Sequence, residues 1–261
     1  MTEAIIAHLG QVDPVMKQLI AAAGPFDIQT REQHSSFETL ARAIAHQQLN
    51  GKAAQSILNR FVTTCGAGSF PSPEALLALK EAELRACGFS FSKIAALRDL
   101  AAKTLGGIVP PREHLHTLSD LEIIERLTAV RGIGRWTVEM LLMFQLRRPD
   151  VLPVDDFGVR HGFRLAYGFR KMPAPKVLAM FGERWAPHRS AAAWYLWRAV
   201  DLHRDGRLPP PAQPSKLPRL PRKRRKVKRA AASSARRAPA GARTPARRPP
   251  APRSRAPKKK K

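Results

Sequence analysis

Apolar residues recur at helical spacing along almost all of the first 206 residues of this chain. Apolar positions three and four apart form one stripe on a helix, whereas a half-buried strand alternates apolar and polar residues. No segment shows convincing alternation of the second kind. The pattern therefore predicts an all-α fold, with helices near 12–22, 36–49, 51–64, 73–78, 80–86, 91–105, 119–130, 135–146, 156–167, 175–181 and 189–203.

Local signals support several of these helix boundaries. Ser119 precedes Glu122 by three residues, which is the spacing of a capping box. Ser72 followed by Pro73 is typical of a helix start. Gly88 falls at an expected break between two helices. These signals agree with the periodicity and favour helices joined by short loops.

Positive charge is concentrated at the C-terminal end of the chain. The formal net charge is +26, and residues 207–261 contain 21 Lys and Arg but no Asp or Glu. This segment is rich in Pro and Ala, and it has too few large apolar residues to offset its ordering entropy. We therefore predict a helical domain at 1–206 and a disordered basic tail at 207–261. The tail is expected to bind DNA phosphates in a salt-dependent way, although residues 221–229 also fit a nuclear localisation signal.

Other features of the composition narrow the class of protein. The two cysteines cannot build a disulfide framework or a four-cysteine cluster. The N-terminus lacks the pattern of a signal peptide, and no apolar run approaches the length of a membrane span. The histidines form no pair with a plausible third metal ligand. We expect a soluble intracellular protein without a metal site.

The segment 130–135, Val-Arg-Gly-Ile-Gly-Arg, lies between two predicted helices and is the most informative stretch. Glycine permits positive φ and close approach of another backbone, so Gly132 and Gly134 allow consecutive amides to face one phosphate. The following helix start adds a partial positive charge, and Arg131 and Arg135 add attraction for a polyanion. An ordinary corner between two helices, with glycine needed only for geometry, is the alternative.

Two adjacent acids, Asp155 and Asp156, stand at the predicted start of the next helix. Capping of the helix accounts for one aspartate. A second carboxylate facing DNA would repel it, unless a cationic sugar develops there during cleavage of a glycosidic bond. The residues alone leave capping and catalysis open. We find no second convincing acid for such a site.

Taken together, the motifs resemble the helix-hairpin-helix (HhH-GPD) DNA glycosylases, and specifically the DNA-3-methyladenine glycosylase II (AlkA-type) branch. Their order and spacing make the resemblance specific. The matching segments are Phe37 with 43–54, 88–93, Leu127 with 132–137, 153–160, and Trp185 with Arg189, Ser190 and Trp197. The resemblance implies a two-lobed helical fold, here in a compact form without the N-terminal sheet domain of some members.

This resemblance implies roles for individual residues. Asp156 matches the catalytic aspartate, which leaves Asp155 as the expected helix cap, although a shift of one residue would exchange them. Trp136 and Trp197 match aromatic positions that line the base pocket. The hairpin implied to bind the DNA backbone comprises Gly132, Ile133, Gly134, Arg135 and Thr137.

Two further features are implied by the family. The turn Gln47-Gln48-Leu49 matches the segment that wedges into the duplex, with Gln48 at the position where the best-known member has leucine. A glutamine there can fill the space and bond the orphaned base. Family hairpins also often hold a monovalent cation through main-chain carbonyls, and no other cofactor is expected.

Departures from related branches indicate the reaction type. Bifunctional members carry a Schiff-base lysine directly after the hairpin, where this chain has Trp136. Without an amine to attack the sugar, water is the expected nucleophile. The C-terminal four-cysteine cluster of the endonuclease III branch is also absent from the sequence. A monofunctional glycosylase is therefore expected.

The function implied is removal of alkylated purines, such as 3-methyladenine and 7-methylguanine, in base excision repair. The expected partner is duplex DNA that contains alkylated bases, bound by a monomer and away from membranes. Expected locations are the cytoplasm and nucleoid of a bacterium, or the nucleus of a eukaryote. The alternatives are a non-catalytic nucleoid-associated DNA-binding protein, and a glycosylase for hypoxanthine, etheno-adducts or mismatched bases.

Overall fold

A computed structural model describes residues 2–28 and 34–211 of the chain. These residues form helices joined by short loops and include no β-strand, which confirms the expected all-α fold. No helix within this part of the chain is long and apolar enough to cross a membrane. Most of the basic tail lies outside the described residues.

Thirteen α-helices occur in the described residues, with a π-helical turn at Phe61–Cys65 and a 3₁₀ turn at Glu183–Trp185. The α-helices are α1 Thr2–Val12, α2 Pro14–Ala23, α3 Ser36–His46, α4 Gly51–Arg60, α5 Pro73–Ala78, α6 Glu81–Cys87, α7 Phe91–Leu105, α8 Arg112–Thr117, α9 Asp120–Thr128, α10 Arg135–Phe144, α11 Phe157–Ala166, α12 Pro175–Gly182 and α13 Arg189–Arg204.

Two helices were missed by the periodicity. In α1, Ile5, Leu9 and Val12 stand at helical spacing; Leu9 is fully buried and the other two pack against the core, so the apolar stripe was present in the sequence and the prediction missed it. Helix α8 has six residues and buries a single residue, Leu115. Periodicity finds helices through a wide apolar face, which α8 lacks.

The helices form two lobes. The central part of the chain, α3 to α10, builds one lobe in which α7 packs on α3 and α5, and α9 packs on α10. The second lobe combines the chain's beginning with its later helices, because α2 packs on both α1 and α13, and α13 packs on α11. Gly162 permits this last crossing, since a Cβ there would lie 1.8 Å from the Leu196 carbonyl oxygen.

A buried carboxylate ties the first two helices to the later helices of the second lobe. Asp13 caps α2 by accepting hydrogen bonds from the amides of Val15 and Met16. Its other oxygen accepts from the Tyr167 hydroxyl at 2.7 Å and from Trp185 Nε1 at 2.9 Å. Burial, followed by the nearby Asp13 charge, raises the pKa of Tyr167 well above its ordinary value. The hydroxyl therefore stays a donor, and this network fixes the lobe that carries α11.

Candidate active site

The glycine hairpin connects α9 to α10 as predicted. Gly132 has a φ of +79°, a conformation that side chains other than glycine rarely adopt. Gly134 stands at the N-cap of α10 and supplies no side-chain cap, so the first amides of α10 lack that partner. Gly132, Gly134 and Arg135 are exposed, whereas the side chains of Ile133 and Thr137 are buried. A phosphate at this hairpin would meet the backbone of Ile133 and Thr137, not their side chains.

Helix α7 holds the hairpin in place through one ion pair. Asp99 accepts from the Arg131 amide at 2.6 Å and from Lys103 Nζ at 2.8 Å, and Lys103 also donates to the Ala129 carbonyl at 2.6 Å. Burial opposes ionisation of Asp99, but the bonds from Arg131 and Lys103 outweigh it and lower its pKa. The hairpin is therefore anchored to the lobe before any DNA binds.

The resemblance implies a monovalent cation that is held by main-chain carbonyls of the hairpin. The Ala129 oxygen accepts from Lys103, the Val130 oxygen from the Ile133 amide, and the Gly132 oxygen from Gln47 Nε2 at 2.7 Å. A cation would have to share these carbonyls with donors already in place. These three carbonyls therefore do not form a free cradle for it.

The turn that follows α3 lies beside the hairpin, as the bond from Gln47 to Gly132 shows. Gln48 has a φ of +57°, an uncommon and strained conformation for a residue with a side chain. Gln48 and Leu49 are both exposed. The ammonium of Lys93 supports the turn by donating to the Ala45 carbonyl at 2.7 Å. The turn thus presents two side chains on the same side of the protein as the hairpin.

Of the two predicted carboxylates, Asp156 is the one held by hydrogen bonds at the site. Its Oδ1 accepts from the Val159 amide at 2.7 Å and from Trp197 Nε1 at 2.9 Å, and its Oδ2 accepts from Trp136 Nε1 at 2.7 Å. Asp155 is exposed. The structure thus brings Asp156, Trp136 and Trp197 together and leaves Asp155 outside the cluster.

The expectation that Asp155 caps the helix is wrong. The N-cap of α11 is Asp156, whose side chain accepts from the amide three residues later. That bond has the geometry of an N-cap. Because α11 begins at Phe157, Asp155 lies one residue too early to be its cap. The candidate catalytic carboxylate is therefore also the helix cap.

A glycine allows the second tryptophan to reach this carboxylate. A Cβ on Gly158 would lie 2.8 Å from Cδ1 and 2.9 Å from Nε1 of Trp197. Trp197 in turn stacks on Phe144, with ring centroids 5.8 Å apart and an interplanar angle of 27°. The roles of Gly158 and Phe144 were not predicted from the sequence. In the sequence, the glycine that directly follows Asp156 and Phe157 was the signal that could have indicated a close contact at this position.

A cleft of about 980 Å³ lies between α3 and α10. One wall comes from α10 and contains Trp136, Met140, Leu141 and Phe144. Trp136 and Phe144 connect the cleft to the carboxylate, because the first bonds Asp156 and the second stacks on Trp197. The cleft is large enough for a purine and is lined mainly by apolar groups, as ligand sites usually are.

Helix α10 also carries a buried acid, Glu139, which does not line the cleft. Glu139 is 3% exposed and accepts from Arg135 Nε at 2.8 Å. Burial raises its pKa, the bond and charge of Arg135 lower it, and the charges of Asp155 and Asp156 raise it further. Its spacing from Arg135 resembles that of an ordinary surface ion pair, which is why the sequence did not reveal it. Its visible task is to hold Arg135 at the start of α10.

The hairpin, the capped aspartate and the aromatic cleft define a class of DNA repair protein. The family model for HhH-GPD superfamily base excision DNA repair proteins matches residues 41–187. The chain belongs to this superfamily, which confirms the resemblance inferred from its motifs.

Individual relatives agree with the family assignment. DNA-3-methyladenine glycosylase 1 of Schizosaccharomyces pombe is 43% identical over 196 residues, which are 75% of this chain and 86% of that protein. The structure of the 3-methyladenine DNA glycosylase Mag1 from the same yeast, in complex with abasic DNA, has a TM-score of 0.70 at 42% identity and covers 76% of this chain and 97% of that one. A DNA-3-methyladenine glycosidase from Bacillus halodurans has a TM-score of 0.64 at 32% identity, covering 74% and 92%.

Proposed function

We propose that this protein is a monofunctional DNA glycosylase that flips alkylated purines out of duplex DNA and hydrolyses their N-glycosidic bond. The observation that carries the proposal is the position of Asp156, whose two oxygens accept from the indoles of Trp136 and Trp197. A carboxylate between two aromatic rings, beside a purine-sized cleft and near a phosphate-binding hairpin, suits a reaction that generates a cationic sugar.

The first step is extrusion of the base, because no side chain can reach a glycosidic bond inside the stack. The hairpin amides and Arg135 would hold the backbone near the flipped nucleotide. Gln48 and Leu49 are exposed on the adjacent turn and would fill the gap in the duplex. Extrusion costs a few kcal/mol and costs least at a damaged base, so this step already favours lesions.

The second step is cleavage of the flipped base. Alkylation at N3 or N7 gives a purine positive charge, and the faces of Trp136 and Trp197 would attract it with about 0.5–2 kcal/mol of cation–π energy. Such a base is a good leaving group and needs no strong acid. Asp156 would stabilise the developing oxocarbenium sugar and orient the attacking water. Glu139 is bonded to Arg135 and is not assigned a proton transfer.

Water is proposed as the nucleophile because the lysines that support the site are engaged elsewhere. Lys93 Nζ donates to the Ala45 carbonyl, and Lys103 Nζ bonds Asp99 and the Ala129 carbonyl. Trp136 occupies the position after the hairpin where bifunctional relatives place a lysine. An amine would have to reach the sugar carbon to form a Schiff base, so we expect no strand cleavage at the abasic product.

The proposed partner is duplex DNA that carries alkylated bases, bound by a monomer. The relative Mag1 forms a complex with abasic DNA, and the names of the relatives indicate 3-methyladenine as their lesion. In a bacterium the protein would work in the cytoplasm at the nucleoid, and in a eukaryote in the nucleus. The basic tail, proposed to hold the enzyme near DNA, lies almost entirely outside the described residues.

The test is release of free base from methylated duplex DNA, comparing the wild type with Asp156→Asn and Asp155→Asn. An asparagine at 156 keeps a cap acceptor for α11 but removes the charge. We expect Asp156→Asn to lower the single-turnover rate by about 100-fold or more, while its DNA affinity survives. Asp155→Asn, a matched change at the exposed neighbour, should stay within a few-fold of wild type.

Two results would count against the proposal. If the wild type binds DNA tightly and releases neither 3-methyladenine nor 7-methylguanine, the protein is a non-catalytic DNA binder or acts on another lesion. If Asp155→Asn abolishes release and Asp156→Asn does not, the carboxylate has been assigned to the wrong residue.

A further inference from the structure

The two cysteines of the chain lie against each other in the central lobe. Cys65 ends the π-helical turn that follows α4, and Cys87 ends α6. Their sulfur atoms are 3.6 Å apart, and both thiols are free. The sequence contains no other cysteine, so each thiol has one possible partner within the molecule.

Other contacts hold the two segments together at this point. Arg60 Nε donates to the Cys87 carbonyl at 2.9 Å, and the buried rings of Phe61 and Phe89 meet edge to face with their centroids 5.4 Å apart. Packing on both sides thus keeps the sulfurs close to each other. The S–S bond of a disulfide is about 2.0 Å long, so the sulfurs have to approach by about 1.5 Å to form one.

The two thiols differ in exposure. Cys65 is half-buried, whereas Cys87 is buried. Burial, followed by the hydrogen bond and charge of Cys65, raises the pKa of the Cys87 thiol to about 11. Cys87 therefore stays protonated, and Cys65 is the sulfur that a dissolved oxidant meets first.

We propose that Cys65 and Cys87 form a redox-responsive modification site, at which hydrogen peroxide converts the two thiols into a reversible disulfide that stabilises the central lobe. Peroxide transfers one oxygen to the Cys65 sulfur, which gives a sulfenic acid and one water. The Cys87 sulfur then supplies the electron pair of the S–S bond, and its proton leaves with the hydroxyl of Cys65 as a second water. The two sulfurs together lose two electrons, and peroxide takes them up.

This disulfide closes a loop that runs from residue 65 to residue 87 and contains α5 and α6. Helix α5 packs on α7, and α7 anchors the hairpin through Asp99. A cross-link restricts the unfolded chain and so favours the folded form of the lobe that carries the hairpin. Because a reducing environment keeps such thiols free, the added stability appears only when an oxidant is present.

The first experiment compares the wild type after reduction by dithiothreitol with the same protein after exposure to hydrogen peroxide. The thiols titrated in denaturant should fall from two per chain to none, and the mass should fall by that of two hydrogen atoms. We expect the melting temperature to rise by about 5–10 °C, as for a cross-linked loop of this length. Dithiothreitol should reverse all three changes.

Several results overturn the inference without any variant having to fold. They are two titratable thiols after exposure to peroxide, a gain of oxygen atoms instead of the loss of hydrogen, a cross-link between two chains on a non-reducing gel, and a disulfide that leaves the melting temperature unchanged. None of these readouts involves base release, so the outcome does not depend on the proposed function.

The second experiment uses Cys65→Ser, which removes the half-buried thiol and keeps the buried one. Peroxide should leave its Cys87 thiol titratable in denaturant and should not raise its melting temperature. A rise equal to that of the wild type would show that peroxide stabilises the protein through another group, and it would overturn the inference.

Discussion

At the scale of single residues, the carboxylate of Asp156 combines two tasks. It caps α11 and it holds the indole N–H groups of Trp136 and Trp197. Because a helix start supplies an amide donor at a fixed place, the cap sets the direction of the carboxylate before substrate arrives. The tryptophans then fix both oxygens. Preorganisation of this kind lets a charge stabilise a transition state without rearrangement at the moment of reaction.

Glu139 gives a prediction about pH and stability. Burial raises its pKa above the ordinary 4.5, so the folded protein binds this proton more tightly than the unfolded chain does. The stability that the group contributes is full below pH 4.5 and is lost as the pH rises through the folded pKa. We therefore expect Glu139→Gln to gain in free energy of unfolding, relative to wild type, as the pH rises from about 4.5 towards neutrality.

Urea denaturation at several pH values between these limits measures that difference. Glu125→Gln, at an exposed position on α9, serves as the control and should show no comparable trend. A constant difference between Glu139→Gln and wild type would mean that the proton on Glu139 is not linked to folding.

Residues that carry a motif were predictable from the sequence, whereas residues that depend on packing were not. Asp156, Trp136 and the hairpin glycines lie in continuous motifs, so their places could be inferred. Glu139 and Gln145 look like ordinary polar residues in the sequence, and their burial becomes visible only in the folded chain. The start of α11 at Phe157 decides that Asp156, rather than Asp155, is the cap.

At the scale of secondary structure, local signals predicted helices best where an apolar stripe and a cap coincide. Helix α7 begins at Phe91 and ends at Leu105, as predicted, because Ser90 caps it and its apolar residues span several turns. Helix α8 was missed because it buries one residue and gives too little periodic signal. Helix α1 was missed although Ile5, Leu9 and Val12 form an apolar stripe against the core.

The anchoring of the hairpin by α7 gives a prediction at this scale. Lys103 bonds Asp99 and the Ala129 carbonyl, so it supports the hairpin rather than facing a phosphate. We expect Lys103→Met to weaken DNA binding about five-fold, as for the loss of about 1 kcal/mol of hydrogen bonding. The dependence of log Kd on log salt should stay unchanged, because no phosphate contact is lost.

Arg135→Met is the matched comparison in the same assay. Arg135 is exposed at the start of α10, and loss of one phosphate contact should reduce the salt slope by roughly one unit. An equal reduction for Lys103→Met would show instead that Lys103 reaches a phosphate directly.

At the scale of the whole molecule, the two lobes supply different parts of the site. The central lobe contributes the hairpin, the turn of Gln47–Leu49 and the cleft wall on α10. The lobe built from the chain's beginning and its later helices contributes Asp156 and Trp197. The carboxylate therefore meets Trp136 only where the lobes join. Sequence order could not predict this meeting by itself, and only the family resemblance indicated it.

The basic tail is the last part of the molecule with a testable role. Residues 207–211, assigned to the tail by composition, still touch the domain, since Leu208 packs against its core and a Cβ on Gly168 would lie 3.0 Å from Pro211.

A truncation after residue 211 therefore spares the domain and removes 20 Lys and Arg. We expect KM to rise steeply at moderate salt and the salt slope of DNA binding to fall by several units. The single-turnover rate at saturating enzyme should stay close to that of the full chain, since no group that we assign to the chemistry has been removed. A large loss in that saturated rate would mean that the tail takes part in forming the active complex rather than in holding the enzyme near DNA.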